Sequence, residues 1–161
     1  MDLIWAPWRM EFINQGGAHE CFLCVKSKES RDQENYILYR GKHNFVLLNA
    51  YPYNPGHLLI APYRHIGDIG DIQEDELKEH FEIVQKSVGL LGGCVKPAGY
   101  NVGMNLGRIA GAGLADHIHT HIVPRWQGDT NFMPVVGDTK VLSEALAATY
   151  AKLKSFFDSL G

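Results

Sequence analysis

The segment Asp116–Trp126 reads DHIHTHIVPRW and places His117, His119 and His121 at alternate positions. On a strand, residues two apart share a face at a spacing of about 6.5–7 Å. The outer pair is then separated by roughly 13 Å, too far for one zinc with ligand bonds of about 2 Å to hold all three imidazoles. At least one ring has another task. The glycine-rich stretch GRIAGAG (Gly107–Gly113) leads into this segment, and Arg108 and Arg125 flank it. Small residues let backbone N–H groups approach an anion closely. Beside a bound phosphate, a neutral His119 could attack phosphorus and form a phosphoramidate, which water or another acceptor then resolves. A second imidazole could donate a hydrogen bond to the phosphate or the leaving group. This chemistry requires the other ring nitrogen of His119 to be held by a backbone carbonyl or a similar partner. The plainer alternative is an edge strand with histidines on its polar face. Three in register beside a glycine loop and an arginine argue against it.

The cysteines are Cys21, Cys24 and Cys94. An odd count with no secretory pattern does not form a disulfide framework. Cys94, beside Gly92 and Gly93, reads as an inert thiol. CFLC (Cys21–Cys24) has the C-x₂-C spacing of two ligands of a tetrahedral zinc, and a structural site needs two more.

The elements that must position these groups are legible as runs. YILYR (Tyr36–Arg40), HNFVLL (His43–Leu48) and HLLIAP (His57–Pro62) read as strands, with the loop NAYPYNPG between the last two. A helix is expected from an Asp71 cap answered by Glu74. Its apolar stripe would be Leu77, Phe81, Val84, Val88 and Leu91, and Gly92–Gly93 and Pro97 would end it. GYNVGMNL (Gly99–Leu106) and HIHTHIV (His117–Val123) alternate as strands, and the chain after Pro124 reads as irregular to about Asp138. A last helix is expected over roughly Lys140–Leu160, with Leu142, Leu146, Leu153, Phe156 and Leu160 on it. Five strands with short connections and two main helices predict an α+β fold, an antiparallel sheet with its helices on one face.

A chain of 161 residues suits a single domain over 1–161. The net charge of −3 argues against a general nucleic-acid binder, and no Lys/Arg run suggests a membrane patch. MDLIWAPWRMEF lacks the pattern of a signal peptide, and no stretch approaches a membrane span, so a cytoplasmic location is expected.

HIHTHIV resembles the His-φ-His-φ-His-φ-φ signature of the histidine triad superfamily of nucleotide hydrolases and transferases, with Thr120 a polar departure at one φ position. FVLLNAYPYNPGHLLIAPYRH and NVGMNLGRIAGAG are similar to the segments that precede the triad in that superfamily. WAPWRMEF and VPRWQGDTNFMPV look more like the branch of diadenosine tetraphosphate phosphorylases, and the resemblance runs from about Leu3 to Val136. It implies a nucleotide-binding core over about 36–136, with a zinc-binding N-terminal segment and a C-terminal helix packed on it. It also implies a homodimer that continues the sheet across a two-fold axis. His119 would be the nucleophile and His121 the contact to phosphate or leaving group. Asn49 would contact ribose, and Asn105 phosphate or ribose. Leu47 and Leu59 would line the base pocket, where an apolar slot suits a purine. Gly111 and Gly113 would offer backbone donors. Trp126, like Trp5 and Trp8, would belong to the nucleotide's base pocket or to an interface. Many hydrolytic relatives carry Gln before the triad and Ser or Thr nearby; AGAGLADH has Gly113 and Leu114 there, which leaves the acceptor open between water and phosphate. The resemblance completes the zinc set with His65 and His117, a closed structural site with Cys21 and Cys24. His19 and His57 are weaker ligand candidates, and His57 would pack or hydrogen-bond behind the active strand.

Three classes of function remain. The first is an enzyme cleaving dinucleoside polyphosphates or, alternatively, adenosine phosphoramidates. The second is a nucleotide-binding module without turnover. The third uses two neighbouring histidines on a catalytic zinc.

Overall fold

A computed structural model describes residues 20–129 and 144–160. Trp5, Trp8, His19, Leu142 and the expected start of the last helix lie outside the described residues. Among the described residues, two short helices come first, α1 (Phe22–Lys28) and α2 (Asp32–Asn35). Strands β1 (Ile37–Arg40), β2 (Asn44–Leu48) and β3 (Leu58–Pro62) follow, then the long helix α3 (Glu74–Val95). Strands β4 (Gly99–Met104) and β5 (Thr120–Arg125) and helix α4 (Leu146–Phe157) come after it. The sheet order is β1-β2-β3-β5-β4, with every pairing antiparallel. The architecture is the expected α+β one.

Strands β2 and β3 are buried along their whole length because both faces of the sheet are covered. On one face Val46, Leu48, Leu58, Ile60 and Ile122 meet Ile83, Val84 and Leu91 of α3 and Tyr150, Leu153 and Phe157 of α4. On the other, Ile37, Phe45, Leu47, Leu59 and Ala61 pack with Leu23 of α1, and Phe22, Tyr63 and Leu114 lie against them. Register aligns Ile37, Leu47, Leu59, His121 and Gly103 as one row across all five strands. Paired residues share a face. The second face therefore grades from an apolar floor on β1–β3 to an imidazole on β5 and a bare glycine on β4.

Three expectations are corrected. The cap of α3 is Gln73, whose backbone N–H donates to Glu76 Oε2 at 2.9 Å in a reciprocal box; Asp68 caps a separate 3₁₀ turn at Ile69–Asp71. The inward face is Glu76, His80, Ile83, Val84, Ser87 and Leu91, while Leu77 and Phe81 are 40% and 57% exposed. A polar residue takes an inward position when its partners wait there: Arg64 Nε donates to Glu76 Oε1 at 2.6 Å. The helix also runs through Gly92–Gly93 to Val95, turns left-handed at Lys96 (φ 46°) and ends before Pro97. At Gly92 the missing side chain admits Tyr100, whose hydroxyl oxygen would lie 3.3 Å from a Cβ.

The triad strand starts late and ends late. His117 to His119 precede β5, and the Ile118 N–H leaves the ladder to donate to Ile66 O at 2.8 Å. At its far end β5 passes through Pro124 to Arg125. Pro124 is tolerated because β3 pairs only with residues 120–122, and on that side its carbonyl accepts from Asn54 Nδ2 at 2.9 Å.

Behind β5, a buried polar chain connects sheet to helix. Asn44 Nδ2 donates to Glu76 O and Glu79 Oε2, both at 3.0 Å. Asn44 Oδ1 must then accept, and His80 Nδ1–H donates to it at 2.8 Å. His80 Nε2 lies 2.6 Å from Thr120 Oγ1. His80 is 1% exposed, and burial pushes its imidazole down to about 4 against the pull of the Glu79 carboxylate. Because the folded value lies below the unfolded 6.5, its contribution to stability is complete above pH 6.5 and is lost as pH falls toward 4. Urea denaturation at stepped pH should show wild type losing up to about 3 kcal/mol more than His80→Asn across this window. Equal pH slopes for the two proteins would count against a neutral buried His80.

Candidate active site

Each ring in the triad is fixed through one nitrogen, which decides what the other can do. His119 Nδ1 lies 2.9 Å from His117 O. A carbonyl only accepts, so Nδ1 carries the proton and the neutral ring has its lone pair on Nε2. Burial pushes His119 below the ordinary imidazole range, against the contrary effect of that hydrogen bond, so the ring stays neutral at pH 7. His57 is 0% exposed, and its Nδ1 accepts from the Tyr53 N–H at 3.1 Å. Its proton then sits on Nε2 and is donated to His121 Nδ1 at 2.9 Å. This places the proton of a neutral His121 on Nε2. The His119 and His121 rings lie edge to face with centroids 4.9 Å apart, one with its lone pair on Nε2 and the other with its proton there.

The loop before β3 sets this arrangement. Gly56 adopts φ +78°, with Pro124 and Leu91 close to where a Cβ would be. Asn54 O accepts the His57 N–H at 3.1 Å, and Asn54 Nδ2 reaches Asp129 Oδ2 at 2.7 Å. Arg125 grips the same Asp129 through Nε at 2.6 Å and Nη2 at 2.8 Å. That ion pair and the Trp126 N–H hold the Asp129 carboxyl well below the usual range.

Around the histidines, Leu47 and Leu59 form the floor in the same row as His121. Asn49 follows β2; its Nδ2 lies 3.4 Å from His57 Nδ1, and its Oδ1 accepts the Tyr51 N–H at 2.9 Å. Asn105 follows β4 with Nδ2 3.4 Å from Gly111 O. Gly107 and Gly111 take φ +81° and +88°, the turns that bracket Arg108–Ala110. Gly113 is exposed, and Leu114 packs on the apolar floor. A Cβ at Gly103 would meet no atom of the described residues within 4 Å, so none of them crowds the position beside His121. Trp126 lies at the opposite end of β5, about 16 Å along the strand from His121.

His117 turns elsewhere. Its Nε2–H donates to Pro62 O at 2.8 Å, and its Nδ1 lies 3.3 Å from Cys21 Sγ and 3.5 Å from Cys24 Sγ. His65 Nδ1 is 3.4 Å from Cys24 Sγ. The four ligand atoms lie within 4.8 Å of one another. Two thiols and two imidazoles, one of them with its lone pair turned inward by the carbonyl that holds its other nitrogen, are a donor set that fits a tetrahedral divalent metal. This cluster could hold a metal, and it is distinct from His119 and His121.

The sequence matches the HIT domain family over residues 30–128. The chain belongs to the HIT family. It is similar to the AP-4-A phosphorylase of Mycobacterium tuberculosis (strain ATCC 25618 / H37Rv), 36% identical over 157 residues that span 92% of this chain and 80% of that protein. It is also similar to the asymmetrical bis(5'-nucleosyl)-tetraphosphatase of Schizosaccharomyces pombe, 31% identical over 58% of this chain and 50% of that protein. Among solved structures, a hypothetical histidine triad nucleotide-binding protein of Sulfolobus tokodaii superposes with a TM-score of 0.67 at 28% identity, covering 86% of this chain and 90% of that one. A Zn-bound histidine triad family protein of Mycobacterium smegmatis has the same fold, with a TM-score of 0.69 at 21% identity over 89% and 97% of the two chains.

This HIT site holds groups that sequence reasoning undervalued. His57 was visible in NPGH, but its link to His121 spans 64 positions and left no local signal. Tyr53 acts through its backbone, which no residue type encodes. Leu23 and Phe22 reach the floor from the first turn of α1, beside Cys21. The ring tautomers are directly checkable. In ¹⁵N–¹H spectra at pH 7.5, His119 should appear protonated at Nδ1 and His121 at Nε2. The reverse assignment at either ring would refute the hydrogen-bond directions above.

Proposed function

We propose that this HIT enzyme cleaves dinucleoside polyphosphates such as diadenosine tetraphosphate through a nucleotidyl-histidine on His119, with inorganic phosphate as the preferred acceptor. The observation that carries the reading is the His119 Nδ1–His117 carbonyl bond, which leaves the Nε2 lone pair as the attacking group. Similarity to an AP-4-A phosphorylase over most of the chain supports the substrate class and the acceptor.

In the first step the His119 Nε2 lone pair forms a bond to the α-phosphorus, and the P–O bond to the rest of the substrate breaks. The ring becomes cationic, and its Nδ1–H remains on the His117 carbonyl, which stabilises that charge. His121 donates from Nε2 to the phosphate or to the leaving oxygen. With diadenosine tetraphosphate the leaving group is ATP and AMP stays on the ring. In the second step an oxygen of phosphate attacks phosphorus, the P–N bond breaks, its electron pair returns to Nε2 and ADP leaves. Water in place of phosphate releases AMP. Leu47 and Leu59 seat the base, Asn49 meets the ribose, and Asn105 with the Gly107–Gly113 backbone meets the phosphate chain.

The Cys21, Cys24, His65 and His117 set binds zinc. All four positions are filled by protein, so the metal acts as a staple between α1 and the segment before β5 and supplies no reactive ligand site. Two copies join through β4, whose outer edge is unpaired among the described residues and beside which Val102, Leu106 and Ile109 are exposed. No helix among the described residues is long and apolar enough to cross a membrane.

Incubation with diadenosine tetraphosphate, followed by separation of the nucleotides, tests the reaction. ADP plus ATP should form only with phosphate present, and His119→Ala should lower the rate by on the order of 10⁴-fold or more. AMP plus ATP regardless of phosphate would replace phosphorolysis by hydrolysis, and undiminished turnover in His119→Ala would remove the nucleophile assignment. Cleavage of an adenosine phosphoramidate alone would move the substrate class. Gently purified protein should carry about one equivalent of zinc, lost in Cys24→Ser; metal content below about half an equivalent in wild type would sink the zinc assignment.

A further inference from the structure

The residue between the two reactive histidines points away from them. Thr120 is 3% exposed and lies on the helix-covered face, where Ile60 is its partner on β3. The φ positions on either side of it in the triad are Ile118 and Ile122, both buried apolar residues. A hydroxyl in that row needs a partner, since an unpaired polar group there costs more than a methyl would gain. The partner is His80 of α3, and the chain continues without a gap: Thr120 Oγ1–H to His80 Nε2 at 2.6 Å, His80 Nδ1–H to Asn44 Oδ1 at 2.8 Å, and Asn44 Nδ2 to Glu79 Oε2 at 3.0 Å. The Glu79 carboxylate is itself fixed by the backbone N–H groups of Lys42, His43 and Asn44, at 2.6 to 2.8 Å.

The direction of every bond in this chain is determined. Both hydrogens of the Asn44 amide are used, by Glu76 O and Glu79 Oε2, so its oxygen accepts and His80 Nδ1 donates. His80 Nε2 then accepts, and Thr120 donates. The position of the chain matters as much as its completeness. Strand β2 carries Leu47 and leads into Asn49; β5 carries His121 and follows His119. These strands are not neighbours, because β3 lies between them. The network bypasses β3 on the back face and ties the first residue of β2 to the first residue of β5 through α3.

We infer that His80 and Thr120 are positioning residues that fix the nucleophile strand relative to the strand binding the nucleoside. The tether sets the distance from a base and ribose held on β2 to the His119 ring. It acts on the reactive geometry while leaving the nucleoside contacts themselves intact. The inference rests on the proposed reaction for its kinetic readout. Its structural readout does not.

The test compares Thr120→Val, which keeps the shape and removes the hydroxyl, with Thr120→Ser, which keeps the hydroxyl. His80→Gln breaks the same bond from the other side and serves where Thr120→Val does not fold. With diadenosine tetraphosphate and phosphate, Thr120→Val should lower kcat about ten- to a hundredfold, the scale of a misplaced reacting group, with KM changed by less than about threefold. Thr120→Ser should stay within about threefold of wild type in both. A kcat equal to wild type in Thr120→Val, with only a lower Tm, would reduce the tether to a structural role and overturn the inference. The His119 and His121 ring nitrogens of the AMP-bound protein provide the second readout. They should shift in Thr120→Val and His80→Gln and not in Thr120→Ser. A wild type that turns nothing over yet shows this response would fail the proposed reaction and keep the tether. Unchanged ring signals in all variants would overturn the tether.

Discussion

An imidazole offers one donor and one acceptor, and whatever occupies the first nitrogen assigns the second. The site depends on that constraint. A carbonyl at His117 makes His119 a base at Nε2. A carbonyl at Pro62 directs the His117 lone pair toward two thiols. A backbone N–H at Tyr53 works through His57 to place the proton of His121 on its far nitrogen. Three chemically identical side chains come to present a lone pair to two thiols, a lone pair at Nε2 and a proton at Nε2, and main-chain groups start each assignment. The fold's contribution is to deliver those groups to within 2.8–3.1 Å.

The sheet makes that delivery possible. Cross-strand registry puts Leu47, Leu59, His121 and Gly103 in a single row, so an apolar floor, an imidazole and an empty position follow from the order of four strands. The order itself is held from behind by the α3 and α4 core, and at the loop by the Arg125–Asp129–Asn54 clamp. A single ion pair on the surface contributes little. Here its carboxylate also accepts from the Asn54 amide and the Trp126 N–H, and it supports the turn at Gly56 that seats His57.

Much of this was legible in the sequence. The five strands, the two long helices and the α+β class followed from hydrophobic runs and turn residues. The Cys21, Cys24, His65 and His117 set, implied by resemblance, comes together within 4.8 Å. What escaped reading shares one cause. Glu76 and His80 face inward on α3, where Leu77 and Phe81 were expected, because a period of apolar residues cannot register polar side chains whose partners lie 12 to 40 positions away. The passage of β5 through Pro124 depends on where β3 begins, at Leu58 opposite Ile122, and its late start on the Ile118 N–H finding Ile66 O instead of the ladder; neither is a property of the segment alone. Thr120 looked like an irregularity in a motif until His80 was seen beneath it.

His117 serves two places at once, and by different parts of itself. Its ring belongs to the cysteine cluster, while its carbonyl holds Nδ1 of His119. A carbonyl is present whatever the side chain. Replacement of the ring therefore removes one imidazole from that cluster without deleting the group that orients His119. The geometry of the cysteine cluster and the orientation of His119 are thus separable at this one residue.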